Sequence, residues 1–232
     1  ITLQESICSH YDIKHNLNRD RISNELKANF KKDKIVENIF NQLGLFPVKF
    51  LTTSKKYTDE IITRCPHNFL LGNGETFSIR TFRSINKKFA PKIVGQPGTK
   101  KINHFFGHLT NYEINRKTFK RFCFENISEI IPILIDYSLV SDYNCYLFIK
   151  PNGAYRKIIL ERGSLPEIAF ENDDFNFTRP TEDSWNESTT IHYMDNSIAE
   201  FQLHNNRPGF KLRLSSEFLI NLSEIDNNYD IN

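Results

Sequence analysis

Long apolar runs are missing from this 232-residue chain. The longest, around residues 130–135, is interrupted by Pro132 and falls far short of the ~20 residues that a membrane-crossing helix needs. An integral membrane protein is therefore not expected. Cysteine is scarce: Cys8, Cys65, Cys123 and Cys145 are scattered, with no CxxC pair. That argues against a zinc site and fits a reducing compartment. No signal peptide is visible, and there are no internal repeats. The most informative absence is of negative charge. Residues 76–112 contain no Asp or Glu, yet hold Arg80, Arg83, Lys87, Lys88, Lys92, Lys100 and Lys101. The whole chain carries a formal charge of only +2, so this basicity is segregated. A polyanion-binding face needs such a local excess, because each neutralised phosphate releases counterions. The compensating acid lies in Glu167, Glu171, Asp173, Asp174, Glu182, Asp183 and Glu187, where Arg179 is the one basic residue. That stretch is expected to be a surface loop facing away from nucleic acid.

What is present is apolar material for a core: 39% hydrophobic residues, with 20 Phe and 9 Tyr. The length fits one domain, divided into an N-terminal helical region (1–45), a core that carries the chemistry (46–140) and a β-rich part (141–232). The bias toward Ile, Lys, Asn and Phe points to an AT-rich genome, hence the expectation of a bacterial cytoplasmic protein.

Residues 21–43 place Ile22, Leu26, Phe30, Ile35, Ile39, Phe40 and Leu43 near one helical face, with Gly44 as a stop. Residues 48–53 read as a short strand and 55–64 as a helical turn. Residues 88–94 alternate weakly, as a third strand would. Residues 99–109 read as a helix whose His104 and His108 have the i, i+4 spacing of metal ligands. No glutamate follows His104 in the zincin pattern, so ligation is not expected. Residues 116–138 read as a second long helix, kinked at Pro132. Beyond it come a hairpin (145–160), then strands at 189–193, 197–204 and 210–214 joined by turns at Asp195-Asn196 and residues 205–209. A last short helix is expected at 215–222. The economical assembly is α/β or α+β, a central mixed sheet flanked by helices.

The sharpest local signal is Pro66-His67-Asn68, then Phe69-Leu70-Leu71, Gly72-Asn73-Gly74 and Glu75-Thr76-Phe77-Ser78-Ile79-Arg80. Asn-Gly between two alternating segments predicts a β-hairpin. Asn68 would start one strand, and Ser78 and Arg80 would share one face of the next. With Gln96 further on, these residues resemble the core of type II restriction endonucleases of the PD-(D/E)xK nuclease fold. That family carries Pro-Asp at a strand end, then (Asp/Glu/Ser)-x-Lys on the paired strand. Some members take a second acid from a later helix, near where Gln96 falls. The resemblance covers residues 66–96, with an echo at 185–214.

It implies a metal-dependent, sequence-specific double-stranded DNA endonuclease with Mg²⁺ as cofactor, acting as a homodimer on a near-palindromic site. Asn68, Glu75, Ser78, Arg80 and Gln96 would form the catalytic set, with Asn68 and Glu75 holding metal. Arg83, Lys87, Lys88, Lys92, Lys100 and Lys101 would bind phosphates. Gln202, Asn205, Asn206 and Arg207 would read bases, since Arg suits guanine and Asn or Gln suits adenine. Two departures stand out. Asn68 occupies the place of the metal-binding aspartate and offers a neutral carbonyl. Arg80 occupies the place of the lysine and is a poor proton acceptor. Asn68 is an inactivating replacement of Asp, or the metal acid is Glu75, Asp59 or Glu60, or the chain binds without cutting. A DNA-binding protein with an inactive nuclease core and a metal-independent DNA glycosylase are the alternative functions.

Overall fold

Phe77 and Ile79, two apart in sequence, give one strand its core face in the sheet that carries the hairpin. In the computed structural model, β1 (Pro47–Phe50), β2 (Phe69–Leu71), β3 (Thr76–Phe82), β5 (Tyr143–Ile149) and β6 (Tyr155–Glu161) form it in the order β1-β2-β3-β5-β6. The structure describes residues 2–15, 32–51, 65–82, 88–150, 154–165, 168–203 and 209–222. The first half of the 21–43 helix, the 55–64 turn with Asp59 and Glu60, Arg83, Lys87, and the Asn205-Asn206-Arg207 turn lie outside the described residues.

The contacts group into two compact units. The first comprises residues 1–84, 139–164 and 225–232, the second 85–138 and 165–224. In the first unit, β1 to β3 form an antiparallel meander, β5 joins β3 in parallel, and β6 closes the sheet antiparallel to β5. Phe77 and Ile79 of β3 and Cys145 and Leu147 of β5 pack into a core with α1 (Thr2–His10) and α2 (Lys32–Leu43). Ile35, Val36, Ile39 and Phe40 are the buried side of α2. Lys157 of β6 is buried in that unit and donates to the Asn38 carbonyl of α2, while the Asn38 amide donates to the Tyr155 hydroxyl at 2.9 Å. The 72–74 loop follows the expected signal: the Gly74 N–H bonds the Leu71 carbonyl at 3.0 Å and Gly74 has φ +90, the left-handed residue of a three-residue hairpin.

The second unit holds an antiparallel sheet of β4 (Lys88–Phe89), β7 (Phe175–Phe177), β8 (Ser188–Tyr193), β9 (Asn196–Leu203) and β10 (Phe210–Ser215), ordered β4-β10-β9-β8-β7. It also contains α3 (Thr99–Phe106), α4 (Phe119–Glu125), α5 (Ile127–Asp136) and α6 (Ser216–Leu222). The class is mixed α and β as expected, but several details differ. There are two sheets rather than one central sheet. The 88–94 strand is only two residues long and pairs with β10, because residues 92–96 turn. The long 116–138 helix is two helices. The break falls at Asn126, at φ −130 and ψ 26, and Pro132 sits inside α5. The Asn126 amide caps the Phe122 carbonyl at 2.9 Å, so a side-chain bond competes with the helical ladder there. The β8–β9 turn is Met194-Asp195, both at positive φ, one residue earlier than expected, as a two-residue primed turn requires. The acidic 167–187 stretch is not wholly a surface loop, for it contains β7 and the fully buried Trp185. Trp185 packs edge-on to Phe119 and Phe124. No helix among the described residues is long and apolar enough to cross a membrane.

Candidate functional site

Three of the expected site residues meet at the β2–β3 hairpin. Asn68 is 2% exposed at the head of β2. Its backbone N–H bonds the Phe77 carbonyl at 2.9 Å, and its side-chain carbonyl accepts the Ile79 N–H at 2.8 Å. The amide therefore docks on the residue between Ser78 and Arg80. Phe77 and Ile79 face the core, so Ser78 and Arg80 share the opposite face. Register puts Ser78 beside Asn144 and Arg80 beside Tyr146 of β5.

A polar network surrounds them. Ser78 donates to the Asn144 side-chain carbonyl at 2.9 Å, and the Asn144 amide donates to the Ser141 carbonyl at 2.6 Å. The Ser141 hydroxyl meets His67 Nδ1 at 3.1 Å. One residue on, Asp142 Oδ2 accepts both the N–H and the hydroxyl of Thr76 at 2.7 Å. Burial pushes the Asp142 carboxyl up, but the bonds from Thr76 and its own N–H, with His67 nearby, hold it below its ordinary value. Burial likewise lowers the Arg80 guanidinium from its ordinary value, opposed by Tyr146, and burial drives the Tyr146 hydroxyl well above its own.

The other described residues of the expected set fall on the hairpin turn or in the second unit. Glu75 sits on the hairpin turn, where its carboxylate takes hydrogen bonds from the Asn73 amide and the Tyr143 side chain. Gln96 is exposed and belongs to the second unit, with Lys88, Lys92, Lys100, Lys101 and Gln202. Lys88 Nζ reaches the Thr190 hydroxyl at 3.4 Å, and burial lowers its ordinary value. Gln202 lies on β9, its amide donating to Glu200, which also pairs with Arg213 at 3.7 Å.

Sequence reasoning did not single out Thr76, Ser141, Asp142, Asn144 or Tyr146. They enter the site because β5 runs parallel to β3, a pairing between residues 66 apart in sequence that local pattern does not encode. The fit to a divalent cation is incomplete. The Asn68 carbonyl is engaged by Ile79, Glu75 is held on the turn, and no group of three or more His, Cys, Asp or Glu among the described residues can hold a metal ion.

Comparison with known proteins adds one finding. The chain is similar to the type II restriction enzyme CviAII of Paramecium bursaria Chlorella virus 1, at 28% identity over 149 residues. The match covers 63% of this chain and 41% of the relative's length. No protein-family model matches the chain, and no solved structure matches it.

Proposed function

We propose that the chain is a sequence-specific double-stranded DNA endonuclease of the restriction type, with Mg²⁺ as its cofactor. The observation that carries the reading is the similarity to a type II restriction enzyme, in a chain whose Asn68, Ser78 and Arg80 converge on one hairpin. Arg80 would grip the scissile phosphate. Its charge survives burial, and a guanidinium offers a planar fork to phosphate oxygens. Ser78 and Asn144 would fix the floor beside it, and Tyr146 would pack Arg80 against the sheet. Hydrolysis adds water to phosphorus and breaks the bond to one ester oxygen. Since Arg80 is a poor proton acceptor, it binds rather than activates water. The anionic ligand that Mg²⁺ requires would come from an Asp at position 68, or from Asp59 and Glu60.

The test is Asn68→Asp, assayed for cleavage of duplex DNA with Mg²⁺ and with a chelator. Mg²⁺-dependent cutting should rise at least about tenfold, the scale on which adding or losing a single electrostatic contact acts. If the Asn68 form already cuts as fast, Asn68 is no metal ligand. The rival reading, a DNA-binding protein with an inactive core, is favoured by the Ile79 bond that occupies the Asn68 carbonyl. It predicts tight duplex binding without cleavage in either form. Chelator-resistant release of a free base would instead indicate a glycosylase.

A further inference from the structure

The second unit contains many basic groups, and several are spent internally. Lys120 donates to the Glu182 carbonyl at 2.6 Å, Arg121 pairs with Glu125 at 3.8 Å and stacks over Tyr112, and Arg213 pairs with Glu200. Helix α3 differs. Ile102 and Phe106 are its buried side, fully sequestered. On the outer side Lys100 and His104 are exposed, and His108 is exposed on the 3-10 turn Gly107–Leu109 that continues the helix. The spacing is i, i+4, i+8, which keeps the three on one edge of the helix. Among the described residues none of the three makes an ion pair or a side-chain hydrogen bond. Lys92, Gln96 and Thr99, in the chain leading into the helix, are exposed as well. No carboxylate occurs anywhere between residues 76 and 112.

We propose that this outer edge of α3 is a docking surface for the phosphate backbone of duplex DNA. The inference rests on the endonuclease reading, and it adds an element and two side chains, His104 and His108, to the Lys100 already expected to bind phosphate. Charge selects the occupant: an edge with an ammonium that makes no ion pair among the described residues and two imidazoles, on a stretch of chain without carboxylates, is complementary to a polyanion. At 1.5 Å per residue the edge runs roughly 12 Å. Phosphates advance about 3.4 Å along the axis per strand, so the edge meets about three of them. His104 and His108, whose spacing invites a metal reading, act here as N–H donors to phosphate oxygens. Lys100 supplies the charge.

The roles separate in a salt titration. Binding of a short duplex is measured by fluorescence anisotropy with a chelator present, so that cutting does not intervene. For Lys100→Ala the slope of log K against log salt should shrink by about 0.9, one phosphate contact. For His104→Ala with His108→Ala, affinity should fall several-fold at every salt concentration, equally for unrelated duplex sequences. Reversing all three to Glu should abolish binding at ~0.1 M salt. All three positions are exposed, and Trp185 fluorescence verifies that the unit is folded. Unchanged affinity and slope in these variants, beside a wild-type chain that binds duplex, would overturn the docking surface and leave the endonuclease reading standing. A sequence-dependent loss would overturn it too, because phosphate contacts carry no sequence information. A wild-type chain that binds no duplex at all would remove both.

Discussion

Asp142 holds its charge because of what lies next to it. Two bonds from one threonine stabilise the carboxylate over the acid, so its folded-state value is depressed. A depressed carboxyl contributes stability that is fully present above its unfolded value, near 3.9, and is lost as pH falls through the folded value. Thr76→Val removes the hydroxyl bond. The stability difference between wild type and this variant should be constant above about pH 5 and should shrink as pH falls below the unfolded value. Urea titrations at several pH values measure it, and parallel curves across that window would show that the hydroxyl does not stabilise the charge. The same residue-level reasoning separates Asn68 from Glu75. One is inside the hairpin ladder and the other is fastened to its turn, although they stand seven apart in sequence.

Among elements, the turn over residues 91–95 decides where α3 begins. The Gly95 N–H bonds the Pro91 carbonyl at 2.9 Å, and the Leu212 N–H of β10 bonds the Gly95 carbonyl at 2.9 Å. A Cβ built on Gly95 would lie 2.5 Å from the Pro91 nitrogen and oxygen. Backbone cannot yield there as a flexible side chain would. Gly95→Ala should therefore destabilise the second unit by at least about 2 kcal/mol, the range of overpacked and strained sites. At Gly98 the equivalent Cβ meets nothing within 4 Å, so Gly98→Ala should cost less than about 1 kcal/mol. Chemical denaturation followed by Trp185, the single tryptophan, compares them. Equal stabilities would refute the steric argument. His104 of α3 and His108 of the turn that continues it show how an element changes a residue's meaning. Their i, i+4 spacing is that of a ligand pair, but both are exposed, and among the described residues no group of three or more His, Cys, Asp or Glu can hold a metal ion.

At the scale of the whole molecule, a homodimer needs apolar surface that one chain has not already used. Ile35, Val36, Ile39 and Phe40 are buried within the first unit, and Phe119, Phe122, Ile127, Ile130, Ile131 and Leu134 within the second. Among the described residues, the large apolar groups that remain exposed are Met194, at 69%, in the β8–β9 turn, and Phe46, at 58%, and Val48, at 48%, at the edge strand β1. Cutting both strands of a near-palindrome calls for two active sites related by a two-fold axis. The endonuclease reading therefore predicts two chains per duplex. Sedimentation of the chain with a short specific duplex should show that complex at saturating protein, and a sharp one-to-one species would exclude it.

Local order was legible along the chain because its causes are local. Asn73-Gly74 demanded a left-handed residue, alternation put Phe77 and Ile79 on one face of β3 and Ser78 and Arg80 on the other, and a gap in acidic residues marked the stretch from which α3 emerges. Asn68, Ser78 and Arg80 could be grouped because one hairpin spans them. Only tertiary structure decided that β3 lies parallel to β5, which brings Ser141, Asp142, Asn144 and Tyr146 into the site from 66 residues away. It also assigned residues 88–89 to a different sheet and spent Arg213 and Lys120 on internal partners, while Lys100 has no ion pair among the described residues. Those outcomes depend on which surfaces meet, and burial and pairing energies are shared among residues distant in sequence. Short-range periodicity carries no record of them.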